Sequence, residues 1–169
     1  IDVLDPINLV GHADAIVLSG GSVHGLDAAS AVVAALRAKD RGYRMSTLAP
    51  SAPIVPAAVL FDLANGGDKE WGEESPYRAL GHAAFAAASE SFALGNTGAG
   101  LGARAGIYKG GLGSASAMTD DDFMVGALAA VNSVGSPLIP NTNVFWAFPF
   151  EQNGEFGGRS VIDREAAGD

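Results

Sequence analysis

The sequence contains no cysteine. That absence excludes disulfides, zinc–thiolate sites and a cysteine nucleophile, and it leaves the redox compartment open. Basic residues are scarce: ten Lys and Arg stand against nineteen Asp and Glu, a formal net charge of −9. No basic stripe is present to hold phosphates, so nucleic acid is not an expected partner. Long apolar runs are missing as well. Gly, Pro or a charge interrupts each one well short of the ~20 residues a membrane-crossing helix needs, and no signal peptide is visible. A membrane is therefore not an expected partner either. His12, His24 and His82 are too scattered for a local metal motif, and each reads as a structural or surface histidine. Nothing fixes the compartment, although the cytoplasm is preferred to the periplasm.

What the chain has in excess is glycine and apolar side chains. Its 169 residues are 48% hydrophobic, enough for one domain with a core. Many of its glycines fall in two clusters: SGGSVHGLDAAS at 19–30 and GNTGAGLGARAGIYKGGLGSAS at 95–116. Each glycine costs backbone entropy on ordering. Such runs persist where the chain turns at positive φ or approaches another backbone or a substrate closely. Two of them imply a site built from main-chain groups, with Gly20, Gly21, Ser22, Gly98 and Gly100 as its candidate backbone.

Strands and helices alternate along the chain, which predicts the α/β class. Residues 13–18 read as a buried strand ending at Gly20-Gly21. A helix is expected over 25–38, with Ser22 as N-cap and Leu26, Ala29, Val33 and Leu36 on one face. Pro53 and Pro56 point to an edge strand or an irregular segment leading into 59–63. An Ala-rich helix is expected over 77–90, opened by Ser75-Pro76. Residues 123–131 and 144–150 read as further strands. The chain reads as a single domain over 1–169, with a mobile tail over about 151–169.

The candidate chemistry is sparse. Gly98-x-Gly100-x-x-Ala103 has dinucleotide-binding spacing, but a weak strand precedes it and a weak helix start follows. Asp120-Asp121-Asp122 reads as a solvated turn rather than a cation site. Ser22, Ser114 and Ser116 lie near glycines, yet none occupies the G-x-S-x-G of a nucleophile elbow. Asn132 closes an apolar strand. An amide there either satisfies neighbouring backbone or points its NH₂ into a site as an oxyanion donor.

Five segments then add up in order: GGSVHGLDAAS, APIVPAAVLFDL, GNTGAGLGARAG, KGGLGSAS and VGALAAVNSVG. Together with the opening IDVLDP they resemble the DmpA-type family of L-aminopeptidase/D-amidase-esterases. That family includes the β-aminopeptidases and, more distantly, the nylon-oligomer hydrolases. The resemblance covers about residues 1–135, and 137–169 depart from it. It implies an αββα sandwich of the N-terminal-nucleophile-hydrolase type, completed by a separate β chain. It also implies that this chain is the α subunit of a self-cleaved precursor. The Ser or Thr nucleophile would then open the β chain, with its own α-amine as general base.

Carried over by position, Asn132 matches the oxyanion-hole asparagine of the family's VN-x-x-G. His24 stands where the family usually has an aromatic residue, often tyrosine. Arg78 matches a lysine of the nylon-oligomer hydrolases, but it cannot give up its proton and is limited to orienting or stabilising charge. The implied substrates are small peptides or amino-acid amides, the implied chemistry needs no metal and no cofactor, and αβ units are expected to form a homo-oligomer. The rival readings are a nylon-oligomer or other ω-amino-acid amide hydrolase, a nucleotide-binding module using the 95–106 loop, and a non-catalytic interaction subunit.

Overall fold

The computed structural model describes residues 1–161. They form two compact units, one of residues 1–103 and 109–132, the other of 104–108 and 133 onward.

The larger unit is organised by a β–α–β run. Strand β1 (Val17–Ser19) pairs in parallel with β2 (Ala57–Val59), with Val17 opposite Ala57 and Ser19 opposite Val59. The ladder is lengthened at both ends: Val17 N–H donates to the Pro56 carbonyl (3.0 Å) and Leu60 N–H to that of Ser19 (2.9 Å). The expected strand at 13–18 is thus shorter and displaced. Asp14 accounts for its early part, because its carboxylate accepts the Ile54 N–H at 2.8 Å and holds that stretch as a loop. The strand expected to lead into 59–63 pairs earlier, over 57–59.

Helix α1 (Asp27–Ala38) follows a 3₁₀ turn at Ser22–Leu26. The expected Ser22 cap is not made. Gly21 and Ser22 both lie at positive φ (82° and 52°), and no side chain caps either helix start. The tight turn brings the chain in at helical dihedrals, so no extended capping residue exists. The buried face is Ala28, Ala31, Val32 and Leu36. Only Leu36 belongs to the predicted stripe; Leu26 is 45% exposed because it lies in the 3₁₀ turn.

Helix α2 (Tyr77–Ala87) ends three residues earlier than expected and lies against α1. Gly81 makes this packing possible: a Cβ there would sit 2.4 Å from the Ala28 carbonyl oxygen. Ser75 donates to the Asp27 carboxylate at 3.2 Å, and Lys39 Nζ stands 4.8 Å over the Phe85 ring.

Short strands β3 (Arg104–Ala105) and β4 (Tyr108–Lys109) precede the longest sheet element. This is the antiparallel hairpin of β5 (Leu112–Met118) and β6 (Met124–Ala130). Its first strand was hidden in the glycine run, where KGGLGSAS lacks β-branched residues. At the turn, Thr119 Oγ1 accepts the Phe123 N–H and Asp122 adopts φ 63°. The aspartate run thus lies in a hairpin turn, as expected.

In the smaller unit, the expected strand at 144–150 is absent. Phe145 makes a single antiparallel bridge with Leu138, Val144 N–H binds Thr142 Oγ1, and Phe148–Phe150 forms a 3₁₀ turn around Pro149. Backbone groups spent on such turns cannot join a ladder. Glu151 accepts the N–H groups of Phe156 (2.7 Å) and Gly158 (2.9 Å), tying the next loop. The rest of the expected tail, 162–169, lies outside the described residues.

The helix crossing yields a direct test. Gly81→Ala must separate α1 from α2, and is expected to cost about 1–3 kcal/mol. Urea unfolding should show a lower midpoint at unchanged slope; an unchanged midpoint would contradict the packing described.

Candidate functional site

Residue Asp62, just beyond β2, joins three segments. Its Oδ1 accepts the Gly21 N–H at 2.7 Å. Its Oδ2 lies where a Cβ on Gly20 or Gly102 would come, at 2.3 and 2.2 Å respectively. A Cβ at either glycine would therefore push the carboxylate out of this position. Gly21 is constrained twice over, by φ 82° and by the Tyr77 ring, 2.1 Å from an ideal Cβ. Next to this knot, Asn65 Nδ2 donates to the Gly102 carbonyl (3.1 Å), and Lys69 Nζ donates to Asn65 Oδ1 (3.1 Å).

These groups border a cleft of about 730 Å³. Asp62, Lys69 and Tyr77 form its polar wall, and Leu80, Ala84 and Leu101 are among its apolar lining. An apolar pocket with few convergent polar groups is the usual form of a small-molecule site. Burial, and then the negative charge of Asp62, raise the Tyr77 hydroxyl above its usual 10.0. Tyr77 is thereby kept as a neutral hydrogen-bonding group. An aromatic row extends from it: Trp71 meets the Tyr77 ring edge-on at 6.1 Å, and His24 meets Trp71 at 5.7 Å.

The predicted residues divide. Gly20 and Gly98 line the cleft, and Gly21 supplies an N–H to its carboxylate. Gly100 packs instead against backbone, with an ideal Cβ 2.5 Å from Leu112 N. Ser22 donates its N–H to the Leu60 carbonyl. Arg78 is exposed on α2 and His24 is exposed at the end of the aromatic row; neither lines the cleft. Asn132 borders a smaller cavity with Leu18, Ser19 and Leu60, and its Oδ1 accepts the Phe61 N–H at 2.8 Å. Gly98–Gly100 forms a single 3₁₀ turn that opens no helix, so the context of a dinucleotide-binding loop is missing.

Residues 1–162 match peptidase family S58. The chain belongs to that family. This S58 chain is 45% identical over 145 residues to uncharacterized aminopeptidases of Mycobacterium bovis and Mycobacterium tuberculosis. It is 42% identical over 150 residues to one of Mycobacterium leprae. These alignments take in 86% of the chain but only 40–41% of each relative. The S58 chain therefore spans about two fifths of the length of the curated relatives it matches. The DmpA-type resemblance read from its five motifs holds.

Sequence reasoning missed Asp62, Asn65, Lys69 and Tyr77. The signal was present for Asp62, which closes the apolar run Val59-Leu60-Phe61 as Asn132 closes its own. The rest are brought to the cleft by packing that no local pattern reveals.

Tyr77 gives a pH test. A folded-state value raised above 10.0 favours the neutral phenol. Its contribution is complete below the unfolded value and is lost as pH rises through the folded one. One of the three tyrosines should ionise late in an absorbance titration. Tyr77→Phe should remove that step and flatten the alkaline fall in stability. Asp62→Asn should shift the step only part-way back, since burial is the larger cause. Three tyrosines titrating together would contradict this.

Proposed function

We propose that this chain is the α subunit of a self-processing N-terminal-nucleophile amidohydrolase of the aminopeptidase type. It would act on the amide bonds of small peptides or amino-acid amides. The Ser or Thr nucleophile belongs to a β chain from the same precursor, which completes an αββα sandwich. The relatives' description as aminopeptidases supports the reaction class, and their greater length leaves room for the second chain.

The observation that carries the reading is the setting of Asn132. Its Oδ1 is committed to the Phe61 N–H, which fixes the amide plane and turns the NH₂ to the opposite side. A donor held in advance, where charge develops, stabilises a tetrahedral oxyanion without reorganisation. The nucleophile's oxygen attacks the amide carbonyl, and its proton passes to the chain's own α-amine. The oxyanion forms against Asn132. As it collapses, the C–N bond breaks and the leaving amine takes up the proton. Water then hydrolyses the acyl-enzyme and frees the nucleophile.

The β5–β6 hairpin supports the second chain. Leu112, Ser114, Ser116 and Met118 share one face with Met124, Gly126, Leu128 and Ala130. The opposite face carries Gly113, Ala115, Ala117, Val125, Ala127 and Ala129. All of these are exposed except Leu112 and Ala130, which are half-buried. A lone two-stranded hairpin is marginal in water, and one this apolar needs cover on both faces. A strand-bearing partner provides it.

Asn132→Asp separates the two roles of the amide. An aspartate keeps the acceptor for Phe61 and removes the NH₂ donor. In the processed protein, kcat on an aminoacyl anilide is expected to fall about 10²–10³-fold at near-constant thermal stability. A variant with undiminished kcat would overturn the assignment.

A further inference from the structure

Lys69 carries an ammonium that no acid answers. It follows the turn Asn65-Gly66-Gly67-Asp68, in which Gly66 and Gly67 both lie at positive φ (83° and 76°). The turn lets the side chain fold back on its own loop. Nζ donates to Asn65 Oδ1 at 3.1 Å and to the Gly66 carbonyl. Both acceptors are neutral. An ammonium has three N–H groups, so one is left over. The ion pair found among the described residues is Arg44–Asp40; Asp62 lines the same cleft as Lys69 but forms none with it. The space beside the ammonium is open. A Cβ built on Gly67 would meet the Lys69 Nζ at 3.5 Å and, outside its chain neighbours, no other atom within 4 Å. Asn65 fixes where the charge stands, because its Nδ2 is in turn held by the Gly102 carbonyl. A half-buried cation beside apolar surface is costly unless something pairs with it.

We propose that Lys69 is a specificity-determining residue that binds a carboxylate of the substrate. The inference rests on the amide-hydrolase reading and deepens it. The cleft is not the cavity bordered by Asn132, but Leu18 and Ser19 line both. A group bound in the cleft lies beside that cavity rather than in it, as a part of the substrate remote from the scissile carbonyl would. A carboxylate there takes the spare N–H in a charge-assisted hydrogen bond. The apolar surface of Leu80, Ala84 and Leu101 suits the carbon skeleton that carries it. Two substrate groups have this chemistry: the C-terminal carboxylate of a short peptide and the side chain of an acidic residue.

The test compares pairs of compounds that differ by a carboxylate against its amide. On the processed protein, alanylglycine is set against alanylglycinamide for the terminal source, and aspartyl anilide against asparaginyl anilide for the side-chain source. One pair is expected to show a preference of about tenfold or more in kcat/KM for the acid, chiefly through KM. The pair that shows it names the source. Lys69→Gln keeps a donor for Asn65 Oδ1 and removes the charge, and should bring that ratio close to one. A lysine that merely fastened the loop would leave the ratio unchanged. No preference in either pair, or one that Lys69→Gln leaves intact, would overturn the proposal. Binding of butyrate and butyramide to the unmutated protein, followed by calorimetry, requires neither turnover nor a folded variant. Tighter binding of butyrate supports the carboxylate site, and equal affinities overturn it. Selective binding of butyrate by a protein that hydrolyses no amide would contradict the amidohydrolase reading alone.

Discussion

One carboxylate holds the candidate site together. Asp62 takes a hydrogen bond from the turn between β1 and α1 and is enclosed by Gly20 on one side and Gly102 on the other. A hydrogen bond to a charged acceptor contributes about 1.5–3 kcal/mol, against a net stability of about 5–15 kcal/mol for a typical domain. A steric condition adds to the energetic one. A Cβ on either of two glycines distant in sequence would push the carboxylate out of this position. At Gly21 the left-handed backbone and the Tyr77 ring, which occupies the space of an ideal Cβ, each disfavour a side chain. Turn, carboxylate and aromatic wall are therefore fixed together.

Around that knot the interior is small. Among the described residues, half of the buried apolar side chains are alanines; the larger ones are Val32, Leu36 and Leu60, with Val144 in the smaller unit, while Met124, Phe123 and Val134 stand exposed. Burying one large aliphatic side chain yields about 1.5–3 kcal/mol, so much of the stabilisation available to this composition is unrealised in the chain by itself. Part of the uncovered surface lies on a hairpin apolar on both faces, whose far end runs on to Asn132. Structure and chemistry thus point the same way: the surface in need of cover leads to the residue assigned to the oxyanion, and a second chain bringing the nucleophile would meet both needs.

The sequence made the two helices legible, because their apolar spacing and the Ser75-Pro76 start are local signals. It also disclosed β6 and the turn before it. The buried face of α1 was misplaced because the chain enters through a 3₁₀ turn, which rotates the pattern without altering composition. Strand β5 was obscured by its glycine and serines, which have little strand preference and stand exposed in the hairpin. The 144–150 segment has strand-like residues, but Thr142 and Pro149 commit it to turns. For the site, glycine density correctly pointed to backbone packed without side chains. The group those glycines enclose was not legible, since a single aspartate after an apolar run has no distinctive pattern. Tyr77 and Lys69 reach the cleft through tertiary packing, which spacing along the chain does not encode.

The central claim is that this chain supplies the pre-set half of a hydrolytic site whose nucleophile is created by cleavage. Intact-mass analysis with N-terminal sequencing of the purified full-length protein, under denaturing conditions, tests it most directly. Two chains, the second beginning with Ser or Thr, are the predicted result. A single uncut polypeptide with only its original N-terminus would contradict the account.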